Sequence, residues 1–220
     1  MRETTSANSM ATLFGTLGWR PASLIPSIKS TEGLERVIFY HSDHERSKRA
    51  RNEVVQYCNE RNIPVRPVEL RDAFDLIQIA KRIREDIRKE RGEGNIIAKF
   101  NIGGGTRLMS SGALLACVLE GVPTTYVHDD TLAEFPLPLL QIEYSAALTP
   151  KQKEVLRALV EHNEPTTQTE LSKTLGIHKA TINHHIKELK RKGLVSVRTD
   201  PKDSRKKIVE AAPFIELLVE

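Results

Sequence analysis

Residues 167–211 read TQTELSKTLGIHKATINHHIKELKRKGLVSVRTDPKDSRKKIVEA, and this stretch decides the architecture of the C-terminal third. Thr167 stands three residues before Glu170, the capping-box spacing that opens a helix, and Gly176 closes that helix after the buried positions Leu171 and Leu175. Ile177 is the turn hydrophobe, and a second helix is predicted from His178 to Lys192. Ile182, Ile186 and Leu189 recur at i, i+4 and i+7, so they must face the core. The opposite face then carries Ala180, Asn183, His184, Lys187 and Arg191, with Lys179 beside them and Thr181 at the flank. Small or polar residues near the helix start can approach base edges, and cations further along suit phosphates. His185 falls beside the core stripe and reads as a packed histidine. After Gly193, Leu194–Arg198 alternates like a strand, Asp200–Arg205 reads as a turn, and Lys207–Ala211 as a returning strand. Arg198, Lys202, Arg205 and Lys206 make this hairpin cationic around its tip.

Immediately upstream, Thr149–Pro150 offers a cap-like Thr followed by Pro at the first helical position. The helix it opens has the core stripe Val155, Leu156, Leu159 and Val160. Helix, Gly-containing turn, helix and basic hairpin together make a winged helix-turn-helix, and duplex DNA is the expected partner. The charge distribution agrees. Residues 1–148 hold 19 basic and 19 acidic side chains, whereas Lys173–Lys207 holds 11 basic against 3 acidic. A net +8 confined to one compact segment is the asymmetry expected where a face meets a polyanion. The segment 189–211, LKRKGLVSVRTDPKDSRKKIVEA, resembles the MarR-type winged-helix family. The resemblance implies that Arg205 points toward the minor groove and that Asp203 orients the wing.

Working back from Thr149, the domain boundary is expected at 146/147, separating a region 11–146 from the DNA-binding region 147–220. Residues 1–10 are polar and read as a frayed tail. Short apolar runs at Leu13–Gly18, Val37–His41, Val65–Leu70, Ile96–Ile102 and Thr124–Val127 read as buried strands. Helical stretches lie between them. In Ala73–Arg91, Phe74, Ile77, Ala80, Ile83 and Ile87 are predicted on one face, and Thr106–Leu119 is apolar enough to press against a sheet. Alternating strands and helices predict an α/β, Rossmann-like, mainly parallel sheet. Leu132–Ala147, with Pro136 and Pro138, breaks the rhythm and suggests an edge strand or an arm.

The informative motif in this region is Asn101-Ile102-Gly103-Gly104-Gly105-Thr106-Arg107, where a strand ends and a helix begins. Its glycines allow close backbone approach, its N–H groups and the helix start suit an anion, Thr106 can cap or bind phosphate, and Arg107 adds charge. It is neither a P-loop nor the dinucleotide fingerprint. The first strand supplies Gly15-Thr16-Leu17-Gly18-Trp19-Arg20, expected at the same carboxyl edge of the sheet. Trp19 could stack on a base or equally cover the core edge, and Arg20 is a natural phosphate partner. Two glycine-containing strand ends joined to a winged helix resemble the CRISPR-associated Rossmann-fold (CARF) regulators, most closely the archaeal winged-helix type, over nearly the whole chain. The resemblance implies a homodimer holding a cyclic oligoadenylate, most often cyclic tetra-adenylate, between paired Rossmann domains. Its ligand positions carry over onto Gly15–Arg20 and Asn101–Arg107, with His41 and Ser42 as weaker candidates.

The expected activity is ligand-responsive transcription control without catalysis. Two other readings remain open at this stage. One is cleavage of the cyclic ligand, which Trp19, His41, Arg107 and Ser110 could assist. The other is a MarR-like regulator sensing a different nucleotide or metabolite. No cofactor or metal is expected, since no His/Cys spacing suits zinc, and Cys58 and Cys117 read as small buried hydrophobes. Without a long apolar run or a signal-peptide pattern, a soluble cytoplasmic protein is expected.

Overall fold

The computed structural model describes residues 11–138, 148–162, 165–201, 203 and 206–219. The chain divides between residues 142 and 143 into two compact units. The expected tail, residues 1–10, and the expected boundary at 146/147 lie outside the described residues, as does the arm beyond Pro138. No helix among the described residues is long and apolar enough to cross a membrane.

The first unit is an α/β sheet sandwich. Strands β1 (Ala11–Leu17), β2 (Leu34–His41), β3 (Val65–Glu69), β4 (Ile96–Asn101), β5 (Thr124–Val127) and β6 (Glu134–Leu137) form one sheet in the order β3-β2-β1-β4-β5-β6. All neighbouring pairs are parallel except β5 with β6. The apolar runs become strands because both sides are covered: Leu13 and Leu17 pack with Leu24, Ile28, Val54 and Cys58. On the other face Phe14 and Tyr40 stack on Phe100 at 5.9 and 6.2 Å. Helices α1 (Ile25–Ser30), α2 (Glu45–Asn59), α3 (Leu76–Gly92) and α4 (Arg107–Glu120) make the connections. The sheet runs one way from β1 to β3 and the other way from β4 onward. The reversal therefore falls between β1 and β4, the position where ligands of such sheets bind.

Two expectations need correction here. The helix expected from Ala73 begins at Leu76, because the Asp75 side chain accepts the Gln78 N–H at 3.0 Å and caps it. Phe74 therefore lies before the helix and is 70% exposed, and the buried stripe is Ile79, Ala80, Ile83 and Ile87. The same helix also buries Asp86 and Glu90, which are held by Arg66, Arg82, Tyr40, Arg36 and Thr12. Cys58 and Cys117 are buried free thiols, and burial pushes them up to about 11 and about 12, which keeps them protonated and inert.

The second unit contains α5 (Pro150–His162), α6 (Gln168–Leu175), α7 (Lys179–Arg191), α8 (Glu216–Val219) and a three-stranded sheet. That sheet joins β7 (Thr166–Thr167), β8 (Val195–Thr199) and β9 (Lys207–Ala211) in the order β7-β9-β8. Its core gathers Val155, Leu156, Leu159, Leu171, Ile182, Ile186, Leu189, Val195 and Val209, with Val160 and Leu175 half-buried around it. The capping box of Thr167 and Glu170 forms at the start of α6, and Gly176 ends that helix at φ +62°, a left-handed conformation that glycine adopts without strain. The fold is that of a winged helix.

Candidate functional site

At the carboxyl edge of the sheet, beside the reversal between β1 and β4, lies a cavity of about 320 Å³. It is lined by Gly18, Trp19, Arg20, Ser23, Ser42, Gly103, Gly104, Gly105, Thr106 and Asp129. The two glycine-bearing loops meet back to back. A Cβ on Gly104 would lie 2.5 Å from the Thr16 carbonyl oxygen and 2.9 Å from the Gly18 nitrogen, and one on Gly18 would lie 2.8 Å from the Gly105 nitrogen. Gly105 is also at φ +92°. These glycines are thus required by loop-on-loop packing, and the same packing brings both backbones to one cavity.

Asn101 fastens this arrangement. Its Oδ1 accepts the Gly103 N–H at 2.6 Å, while its Nδ2 donates to the Ser23 carbonyl at 2.8 Å and to Ser27 Oγ at 2.7 Å. It is fully buried with its polar atoms engaged, so its part is to hold the turn, which corrects its reading as a ligand contact. Gly15, Thr16 and Leu17 are likewise buried in β1 and do not line the cavity. Gly15 has no room for a side chain, since a Cβ there would lie 2.5 Å from Leu24 Cδ1. Thr16 Oγ1 is a buried hydroxyl without a hydrogen-bond partner among the described residues.

Thr106 caps α4: its Oγ1 accepts the Met109 N–H at 3.1 Å and donates to the Ala73 carbonyl at 2.7 Å. With Met109 satisfied, the N–H groups of Arg107 and Leu108 still open the helix toward the turn, a partial positive charge favourable to an anion. Arg107 is exposed at the first position of α4 and is not among the residues lining the cavity. Arg20 reaches across to the loop after β5 and donates to the Asp129 carbonyl at 3.0 Å, its guanidinium 4.0 Å from the Asp129 carboxylate. Trp19 is 57% exposed, so it does not cover the core edge. Its ring stacks on His44 at 5.2 Å and lies under Arg46 at 4.9 Å. His41 is buried, and burial holds its ring below the usual histidine range. Its Nδ1 lies 2.9 Å from the Ser42 carbonyl, which can only accept, so Nδ1 carries the proton. Ser110 Oγ donates to the Ile102 carbonyl at 2.9 Å.

Of the lining residues, Ser42 is among the weaker sequence candidates, whereas Ser23 and Asp129 escape a reading that follows glycines. Ser42 and Asp129 sit just beyond the carboxyl ends of β2 and β5, so the strand-end rule applied to every strand would find them. On the edge strand, Glu134 of β6 is held by Lys99 at 2.8 Å, Ser27 at 2.6 Å, Thr125 at 2.8 Å and Ser30. Despite its burial, these partners hold the carboxyl down at about 2.

In the second unit, α6, its turn and α7 form the helix-turn-helix, tied by Ser172 Oγ donating to the Ile177 carbonyl at 2.6 Å. Lys179, Ala180, Thr181, His184, Lys187 and Arg191 are exposed on α7, opposite the buried Ile182, Ile186 and Leu189. Asn183 is half-buried, and its Oδ1 accepts from Gln168 at 3.4 Å. His185 is half-buried as well. Two of the cations are partly neutralised: Arg191 pairs with Glu188 and Arg198 with Glu210, both at 2.8 Å. The first pairing raises the arginine and lowers the carboxyl. Lys206 is exposed where the hairpin turns back, with its N–H donated to the Asp203 carbonyl at 2.9 Å. Lys202 and Arg205 lie outside the described residues. A larger cavity of about 430 Å³ lies along α5 and β9, but Glu210 and Glu216 are the charged residues lining it, which makes it unsuited to an anion.

Comparison with known proteins matches each unit separately. The family model described as the Csa3 CRISPR-associated Rossmann-like domain matches residues 11–136, and the MarR family model matches residues 148–206. No curated protein matches. Among solved structures, the S. aureus MepR–DNA complex is 27% identical, covering 34% of this chain and 55% of that one, with TM-score 0.33. A probable transcriptional regulator from Pseudomonas aeruginosa is 33% identical over 32% of this chain and 54% of that one, with TM-score 0.30. The adhesin competence repressor AdcR from Streptococcus pyogenes is 26% identical over 33% and 52%, with TM-score 0.31. This chain spans about half the length of these structures.

Proposed function

We propose, for a chain that belongs to the Csa3 family of CRISPR-associated Rossmann-like proteins and carries a MarR-family winged helix, a cytoplasmic homodimeric transcription regulator that binds duplex DNA and senses a cyclic oligoadenylate, with cyclic tetra-adenylate the favoured ring. The observation that carries the sensor reading is the meeting of the two glycine loops at one cavity. Gly18–Arg20 and Gly103–Thr106 line it together, with the N–H groups that open α4 and an exposed aromatic ring on the carboxyl edge of the sheet. Backbone donors suit phosphates, and the ring suits a base. The DNA reading rests on the exposed Lys179, Thr181, His184 and Lys187 of α7 and on the cationic hairpin. A two-fold dimer matches both a symmetric ring and a pseudo-palindromic operator. Phe74 and Leu108, both exposed, give the first unit apolar surface near its glycine turn for a second copy to cover.

Ring cleavage is disfavoured. His41 is buried with its Nδ1 proton committed to Ser42, Ser110 is committed to a carbonyl, and Arg107 stands off the cavity. None of these three candidates stands free in the cavity as an acid or base toward a ribose hydroxyl. The test is the thermal midpoint of the full chain. Saturating cyclic tetra-adenylate should raise it, since mass action stabilises the folded chain by about 2.7 kcal/mol at a hundred times Kd, while AMP leaves it unchanged. An unchanged midpoint with every cyclic oligoadenylate would end the sensor reading.

A further inference from the structure

Trp19 is exposed at a position where an apolar ring is costly to leave in water, and it already lines the cavity. Its neighbours, which reach the cavity only through Trp19 and do not line it themselves, come from the start of α2, an element with no glycine loop. His44 stacks on the ring, and the Arg46 guanidinium lies 4.9 Å from its centroid. His44 is fixed there by capping α2, its Nδ1 accepting the Arg46 N–H at 3.2 Å. Arg46 has no carboxylate partner among the described residues, in contrast to Arg20, which faces Asp129. A guanidinium spread over an aromatic face keeps its N–H groups directed outward in its own plane, where they can grip a phosphate in two places.

We infer that Arg46, positioned on Trp19 by His44, is a further ligand-binding residue: an adenine stacks on Trp19 while Arg46 takes the phosphate next to it. This rests on the cyclic oligoadenylate reading and adds to it a base-recognising platform outside the glycine turns. It makes the site selective for a phosphate that carries a stacked base over a bare polyanion.

The sequence contains one tryptophan, so intrinsic tryptophan emission of the full chain reports on this platform alone. Titration with cyclic tetra-adenylate should change that emission, while inorganic tripolyphosphate should not. By calorimetry, Arg46→Ala should weaken cyclic tetra-adenylate binding about tenfold or more, and Arg46→Lys should recover only part of the loss. Arg46 is exposed, and unchanged circular dichroism would show that the variants fold. Binding with unaltered emission, unaltered affinity in Arg46→Ala, or complete recovery in Arg46→Lys would overturn the platform while leaving the sensor reading in place. Failure of every cyclic oligoadenylate to bind the wild-type chain would overturn both.

Discussion

Gly104 illustrates how much of the site is decided by single side chains, or by their absence. A methyl group there would press on the Thr16 carbonyl oxygen at 2.5 Å and on Ser23 Oγ at 2.8 Å, both held in place by the sheet and the loop. Gly104→Ala should therefore lower stability by about 1–3 kcal/mol, as overpacking does, and should also weaken ligand binding. Gly92, at the end of α3, has open space around the same construction, so Gly92→Ala should be neutral or mildly stabilising. Calorimetric melts of the two variants check the contrast. On the DNA side, Lys187 is exposed on α7 with no acidic partner among the described residues. Lys187→Ala should weaken binding to all duplexes alike and reduce the salt slope by about one. An unchanged slope would remove Lys187 from the interface.

At the scale of elements, the edge strand β6 is secured by Glu134, whose folded-state titration lies at about 2, down from an ordinary 4.5. A depressed carboxylate contributes stability above its unfolded value and loses it as pH falls. The first unit should accordingly weaken between about pH 4.5 and pH 2, and Glu134→Gln should flatten that dependence in acid titrations followed by circular dichroism. The start of α4 offers a second check: Thr106→Ala removes a cap worth about 1 kcal/mol and frees the Ala73 carbonyl. What was readable from sequence divides along the same lines. The strands of the Rossmann-like unit and the helices of the winged unit show because their periodic apolar faces and caps are local signals. Phe74 misleads because its spacing fits the α3 stripe, while the Asp75 cap sets the helix start two residues later. The two-residue β7 exists only through its pairing with β9, and Pro21–Ser30 folds into short turns of helix that carry no full period. Asn101 reads as a ligand donor from its place in the motif. Only the fold reveals that Ser23 and Ser27, more than 70 residues away, consume its amide.

For the whole molecule, a glycine-walled cavity in one unit and a cationic recognition helix in the other make sense as input and output of one regulator. Linkage then requires that the two sites influence each other equally in both directions. The most direct measurement is the affinity of the full chain for a duplex selected by the protein in vitro, with and without saturating cyclic tetra-adenylate. The account predicts that the DNA Kd changes by about fivefold or more, and that Gly104→Ala blunts the change. A DNA Kd unaltered by bound cyclic tetra-adenylate would contradict it.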